Sequence, residues 1–279
     1  MRKPPPGRRL LRRAGDALAL AVILLATGVV LFPYAWMLLS SFKPAAAFAQ
    51  PTSLHFEPTL RHWMDVARSQ LLRQIANSVV VGATTVTVAL LVGAPAAYGL
   101  SRFGVGGAPL RFAILAAQML PPAVLVIPLF LLMYHLRLLD SLVAVVTAHL
   151  TFVLPLVTWF LIAFFGEIPR DLEQQALVDG CSHWQAFHRI LVPVIRPGMA
   201  AAGLFAFVLS WNDLFYALLL AGGNSKTLPV GVAGYWTFRG VDMGRMSVAV
   251  VAAIVPVLVV SFFIQRHLVK GLGGGALKD

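Results

Sequence analysis

Six long apolar runs, almost free of charged side chains, dominate this chain of 279 residues. A helix needs about 20 apolar residues to cross the hydrocarbon core of a bilayer, and each run is long enough. In chain order the runs are Ala17–Phe42, Gln74–Ser101, Phe112–Leu136, the stretch between Asp140 and Glu167, the stretch from after Pro197 to about Ala221, and the stretch between Arg245 and Arg266. We therefore predict an all-α membrane protein with six transmembrane helices.

Composition excludes the soluble alternatives. Hydrophobic residues make up 59% of the chain and charged residues only 12%, whereas an ordinary soluble domain is about a quarter charged. The apolar content excludes a disordered chain, and the single Cys excludes a small domain held by disulfides. The net charge of +11 is spread over short gaps between the apolar runs, so it indicates membrane topology rather than nucleic-acid binding.

The distribution of positive charge predicts the orientation. An even number of spans places both termini on one side of the membrane. Of the 22 Lys and Arg residues, fourteen fall on that side and eight on the other. Because positively charged loops face the cytoplasm, we expect both termini there. The expected parts are a basic cytoplasmic arm (1–16), a six-helix domain (17–268) and a cytoplasmic tail (269–279).

The connection between the fourth and fifth runs, residues 167–197, has the most distinctive pattern. It holds four of the chain's eleven acidic residues. Gly180 permits a backbone break with positive φ. Ser182 is a good N-cap for a second helix, and Gln185 stands at the capping-box position. The pattern predicts two short helices, exposed to the cytoplasm.

The second short helix is predicted to carry an apolar stripe and to end at Pro193 and Pro197. The large side chains that recur at helical spacing are Trp184, Phe187 or His188, and Leu191. Two interpretations stay open: the segment packs on its own helix bundle, or it enters a socket on a partner. An uncovered apolar stripe beside acidic residues favours the partner.

The same segment resembles the EAA loop of ABC importer permeases. The matching residues are Glu173, Gln174, Gln175 and Ala176, then Asp179 and Gly180, and after nine residues Ile190, Leu191, Val192 and Pro193. The usual Glu and first Ala of the motif are replaced by Gln174 and Gln175. Two acids compete for the family's salt bridge to the ATPase: Glu173, one position earlier, and Asp179 beside the bend.

Further segments carry the resemblance along most of the chain. Asn77–Phe103, Met119–Ser141 and Phe207–Leu220 resemble the second, third and fifth helices of these permeases. The closing QRHLVKGLGGGALKD resembles the tail of the maltose-type second permease subunit. Together these segments point to the carbohydrate-uptake branch.

The resemblance implies a permease subunit of a binding-protein-dependent importer in a bacterial or archaeal cytoplasmic membrane. The implied partners are a second related permease, two copies of an ATPase subunit that binds ATP and Mg, and an extracytoplasmic solute-binding protein. The chain itself would hold no cofactor and would not be an enzyme. The alternatives are a permease of this kind for glycerol phosphate, a polyol or a peptide, and a secondary transporter without an ATPase. The latter predicts broken helices paired between repeated halves, and no such repeat is seen.

Other candidate residues lie within or between the runs. Asp213, next to Trp211 and Asn212, is the one acid inside a run. Such an acid needs a partner from another helix, a second subunit or water, and we expect it to face the translocation pathway or a subunit interface. His149 either accompanies a backbone break near the pathway or bonds to a neighbouring helix.

The outer loop that begins with Gly222, Gly223 and Asn224 is the candidate contact for the binding protein. The same loop lacks the glycine spacing of a phosphate-binding loop, so we expect no nucleotide site in this chain. The spacing of the His, Cys and Asp residues between positions 179 and 188 fits no zinc pattern. No arrangement of residues in the runs suggests catalysis.

Overall fold

The computed structural model describes residues 6–238 and 240–273, with side chains from 15 to 238 and from 240 to 262. It confirms an all-α membrane protein. The helices are α1 (Pro6–Ser40), α2 (Arg61–Ala67), α3 (Leu71–Arg102), α4 (Gly107–Met119), α5 (Pro122–His135), α6 (Leu142–Glu167), α7 (Arg170–Val178), α8 (His183–Ala186), α9 (Val192–Asn212), α10 (Phe215–Leu220), α11 (Leu228–Ala233) and α12 (Met243–Gly273). A short 3₁₀ segment covers Ala45–Ala49, and strands β1 (Trp236–Thr237) and β2 (Gly240–Val241) form an antiparallel hairpin.

Among the described residues, five helices are long and apolar enough to cross a membrane, or six if a bent pair counts as one span. The five are Gly15–Ser40, Leu71–Arg102, Leu142–Glu167, His183–Asn212 and Met243–Phe262. The bent pair is α4 and α5, whose axes differ by 90°. The expectation of one continuous third helix was therefore wrong. Pro121 and Pro122 explain the break, because proline disfavours helical backbone in the residue before it, and Leu120 is extended, with ψ at 125°.

The described residues form two compact units, and the first comprises residues 6–68, 235–238 and 240–252. In this unit, no residue in the most apolar window of α1 is buried. The loop after α1 folds around Lys43, which is fully buried. Its Nζ donates a hydrogen bond to the carbonyl of Pro51 at 2.6 Å and lies 4.8 Å from the ring centre of Trp36. The expected arm and tail lie mostly outside the described side chains.

The second unit comprises residues 69–234 and 253–273, and its core is built by α3, α6 and α9. Small residues allow these helices to approach closely. A Cβ atom on Gly82 of α3 would lie 2.9 Å from the ring of Phe207 on α9. Buried aliphatic and aromatic side chains fill the centre, among them Ala89, Ala97, Val157, Leu161, Phe165 and Leu191. All the candidate site residues lie in this unit.

Candidate functional site

The bend at Gly180 has the predicted conformation. Gly180 has φ of 86°. The Gly180 N–H donates to the carbonyl of Leu177 at 3.1 Å, and the Cys181 N–H donates to that of Ala176 at 2.9 Å. These two bonds form a Schellman motif, which satisfies the last carbonyl groups of α7 and needs positive φ at the glycine. The sharp turn that follows α7 thus depends on this residue.

The predicted start of the second helix is also confirmed. Ser182 Oγ accepts a hydrogen bond from the Gln185 N–H at 3.2 Å, and Gln185 Oε1 accepts one from the Ser182 N–H at 2.8 Å. This reciprocal pair is a capping box. It fixes the direction in which the chain leaves the turn.

The end predicted for the second helix was wrong. Helix α8 continues through a π-helical segment, Phe187–Leu191, directly into α9, and the whole rod His183–Asn212 has 30 residues. The Val192 N–H donates to the carbonyl of Phe187, five residues back. The wider π turn precedes Pro193 and relieves the crowding that a proline ring causes in a regular helix. Pro193 and Pro197 therefore lie inside α9 and do not end it.

The expected apolar stripe is mostly buried within the chain. Phe187 and Leu191 are 2% and 0% exposed and belong to the core beside Phe165, and Ile190 is half-buried. Their large side chains follow the helix face that packs on α3 and α6, which helical spacing alone could not distinguish from a solvent face. Trp184, 58% exposed, is the member of the stripe that remains on the surface.

Glu173 lies in a buried network and not on the surface. Its Oε2 lies 3.3 Å from Arg102 Nε of α3, and its Oε1 accepts a hydrogen bond from the Tyr98 hydroxyl at 2.5 Å. His183 Nδ1 lies 3.4 Å from the same Oε1. Of the two acids predicted to compete for the ATPase, Glu173 is therefore buried and already paired within the chain, whereas Asp179 is exposed.

The exposed face of this segment is acidic and amide-rich. Side chains from α7 and the turn border a surface concavity of about 600 Å³: Asp171, Gln174, Gln175, Val178 and Asp179. Val178 is 87% exposed, and Ala176 of the motif is buried. We call the five concavity residues, together with Trp184, the α7 face. It offers two carboxylates, two amides and two apolar side chains to a partner.

Asp213 lies at a break between α9 and α10, so the expected continuous fifth helix was also wrong. Its Oδ2 lies 3.1 Å from His149 Nε2 and accepts a hydrogen bond from the Ala217 N–H at 3.2 Å. His149 is fully buried, and its Nδ1 lies 2.7 Å from Ser210 Oγ. Another helix, one of the three sources that the sequence argument allowed, thus supplies a partner of the acid. Of the two interpretations of His149, the structure supports the bond to a neighbouring helix, since α6 is continuous here.

The residues next to Asp213 point in different directions. Trp211 is buried and stacks on Phe207, with 5.6 Å between ring centres. Asn212 is exposed, and its Nδ2 donates to the carbonyl of Val208 at 2.9 Å. The Trp-Asn-Asp run therefore combines a packing residue, a helix-end residue and a paired acid.

The loop at Gly222–Asn224 is held by an acid that sequence reasoning missed. Asp140 Oδ1 accepts hydrogen bonds from the N–H groups of Gly222, Asn224 and Ser225 at 2.9–3.1 Å, and from Ser225 Oγ at 2.8 Å. The hydrogen bond from the Ser225 side chain, with those from the backbone, lowers the pKa of Asp140. A Cβ on Gly222 would lie 2.6 Å from Asp140 Cγ. No local signal marks this role, because the loop is more than 80 positions away in the chain.

The N-terminal end of α3 holds the same loop from another side. Arg73 Nη2 donates to Asn224 Oδ1 at 2.9 Å. Asn77 Nδ2 donates to the carbonyls of Asn224 and Lys226 at 3.0 and 2.9 Å. Gly223 and Asn224 remain exposed. We call this loop, residues 222–226, the Gly222 platform: hydrogen bonds hold it on two sides, and its tip is exposed.

Comparison with known proteins places the chain in a family. The family described as binding-protein-dependent transport system inner membrane component matches residues 86–274. The chain belongs to this family. The match includes the α7 face, the Asp213 break and the Gly222 loop, so these features lie in the family's shared region.

Full-length relatives agree with this membership. A probable ABC transporter permease protein of Sinorhizobium fredii is 35% identical over 254 residues, covering 90% of this chain and 91% of that protein. The trehalose transport system permease protein SugB of Mycobacterium tuberculosis is 32% identical, covering 91% and 94%. A solved bacterial ABC transporter involved in import of the acidic polysaccharide alginate has a chain that matches with a TM-score of 0.75 and 21% identity, covering 95% and 99%. The chain is thus an ABC importer permease in family and in fold.

Proposed function

We propose that this permease forms half of the translocation pathway of an ATP-driven sugar importer, and that it couples to a separate ATPase through the α7 face. The sugar assignment is supported by the relatives, whose names include trehalose and diacetylchitobiose transport. The proposed complex has a second related permease, two ATPase subunits that bind ATP and Mg, and an extracytoplasmic binding protein. This chain carries no cofactor and leaves ATP hydrolysis to the ATPase subunits.

The orientation proposed from charge puts the α7 face on the cytoplasmic side with both termini. The basis of this orientation is the larger share of Lys and Arg on that side. The Gly222 platform then lies outside, where the exposed Gly223 and Asn224 are available to the binding protein. This arrangement gives each of the two soluble partners its own surface.

The continuous rod His183–Asn212 is the observation that carries the coupling proposal. A helix rises about 1.5 Å per residue, so 30 residues span about 45 Å. One end follows the turn at Gly180, and the other ends at the Asp213 break. A displacement of the α7 face therefore moves the whole helix His183–Asn212, including its far end at the Asp213 break, as rigid-body alternating access requires.

The α7 face also defines the socket it would fit. Asp171 and Asp179 need basic groups on the partner, because exposed carboxylates that become buried must be paired. Val178 and Trp184 need an apolar slot. The paired Glu173 contributes no surface charge to this contact.

Reconstitution tests the proposal. The chain is co-expressed with candidate ABC transporter subunits from the same genome, purified through a tag, and placed in vesicles with ATP inside and binding protein plus labelled sugars outside. We expect co-purification of an ATPase and uptake of one sugar that stops without ATP. Uptake of glycerol phosphate, a polyol or a peptide in place of every sugar would contradict the sugar assignment alone. Uptake without an ATPase would contradict the whole proposal.

A further inference from the structure

The buried network around Glu173 joins three parts of the chain at one point. Arg102 is the last residue of α3, and Tyr98 lies one turn before it on the same face. Both reach the Glu173 carboxylate of α7. Arg102 Nη2 also donates a hydrogen bond to the carbonyl of Ile168 at 2.8 Å, where α6 gives way to α7. One guanidinium thus ties α3 to the end of α6 and to α7.

Aromatic packing surrounds the charged pair. The Tyr98 ring centre lies 5.1 Å from that of Phe187, 5.3 Å from that of Phe103 and 5.8 Å from that of Phe165. The side chains of Arg102 and Glu173 are only 6% and 9% exposed. Water therefore screens the pair little, and removing one partner leaves an uncompensated charge in an apolar shell.

A contribution to folding stability alone does not explain why the Arg102–Glu173 pair is buried at this point. A buried ion pair often stabilises a fold no better than apolar residues of similar size would. What it does provide is geometry: the ion pair and the tyrosine hydroxyl fix α7 relative to α3, and the rod fixes α8 relative to α9. A movement of the α7 face then reaches two spans together.

From this geometry, and resting on the proposed function, we infer that Glu173 is a positioning residue for coupling. It acts through Arg102 and Tyr98 of its own subunit and does not contact the ATPase. The ATPase moves the α7 face, and the Arg102–Glu173 pair makes α3 follow.

A double-mutant cycle in the assembled importer separates this role from direct docking. The variants are Glu173→Gln, Arg102→Gln and the two combined, with Glu167→Gln as the control, since Glu167 is an exposed acid outside the α7 face. Three quantities are measured: the amount of assembled complex in the membrane, basal ATP hydrolysis, and its stimulation by binding protein with sugar. The ratio of stimulated to basal hydrolysis reports coupling, and a purely structural role would lower assembly without changing this ratio in the complexes that remain.

We expect Glu173→Gln and Arg102→Gln each to lower the ratio, the control to leave it unchanged, and the double variant to recover it by about tenfold relative to Glu173→Gln, since contacting charged residues show coupling of this order. A double variant as impaired as Glu173→Gln, with Arg102→Gln near wild type, would overturn the inference and indicate an external partner for Glu173. If Glu173→Gln does not assemble, the coupling ratio of Tyr98→Phe, which keeps the ion pair, decides between a coupling role and a purely structural one.

Tyr98→Phe provides a milder second probe, because it keeps the ring and removes only the hydrogen bond to Glu173. We expect a reduced coupling ratio with normal assembly, and an unchanged ratio would count against the inference. Failure of the proposed function would look different: the wild-type complex itself would then lack a co-purifying ATPase or any stimulation.

Discussion

The turn at Gly180 gives the sharpest prediction, because the structure separates backbone strain from crowding. A Cβ on Gly180 would meet nothing within 4 Å, yet the residue has φ of 86°. Left-handed backbone costs an L-residue roughly 1–2 kcal/mol, and Asn tolerates it better than most. β-Branched residues are the least tolerant. We therefore expect Gly180→Asn to be mild, Gly180→Ala intermediate and Gly180→Val severe.

A loss of about 1–2 kcal/mol changes the ratio of formed to unformed turn by a factor of about 5–30. The first assay measures hydrogen exchange in the intact complex, followed in the proteolytic fragment that contains Gly180 and Cys181, whose amides make the Schellman bonds. The second is sugar uptake with ATP hydrolysis in the same complex. Protection and uptake should fall together in the order Asn, Ala, Val, with all spans still inserted. Wild-type uptake in Gly180→Val, or equal damage from Asn and Val, would refute the reasoning.

Three further predictions concern the Asp213 break and the Gly222 platform. Asp213→Asn should keep most uptake, because its amide oxygen can still accept the hydrogen bond from the backbone N–H of α10. Asp213→Leu should lower uptake by about tenfold or more, the effect of losing about 1.4 kcal/mol. Uptake is measured per assembled complex, and equal damage from the two variants would indicate that the charge itself is required. Gly222→Ala should speed hydrogen exchange in the platform and impair stimulation by the binding protein, since its Cβ would collide with Asp140. Gly223→Ala has open space and should keep wild-type exchange in the platform, and equal exchange in the two variants would contradict this reasoning. The pKa of Asp140 is lowered in the folded protein, so its stabilising contribution is complete above the ordinary carboxyl pKa and is lost as pH falls through the lower folded value. The protection factors of the platform amides should therefore persist near pH 4, where a carboxyl of ordinary pKa would be about half protonated, and loss of protection there would contradict this.

Features set by local chemistry were predictable from sequence. The spans follow from the lack of charge, the turn follows from Gly180, and the second helix starts at Ser182 because its side chain caps the helix end. Each of these signals lies within a few residues of its effect. None depends on knowing which helices are neighbours.

The helix ends set by proline were less predictable. Tandem prolines at 121–122 break the third span, whereas Pro193 and Pro197 lie inside a continuous helix. The difference is the π turn before Pro193, where Phe187 and Leu191 pack in the core of the helix bundle. Sequence spacing gives no sign of it.

Long-range partners were the main omission. Glu173 had the expected type and spacing for a surface contact, but Arg102 and Tyr98, more than 70 positions away, bury it. Asp140 is a similar case, paired with a loop that follows it by more than 80 residues. A single sequence does not identify such partners, because either acid would also be reasonable on a solvated surface.

Site-specific photo-crosslinking in native membranes tests the central claim most directly. A photoreactive phenylalanine analogue is placed at Val178, which is 87% exposed on the α7 face, and in a control at Phe187, which is 2% exposed. The account predicts that the probe at position 178 links this chain to an ATP-binding subunit and that the probe at position 187 links only within the chain. A probe at 178 that captures no ATP-binding subunit, in a complex that still transports sugar, would contradict coupling through this face.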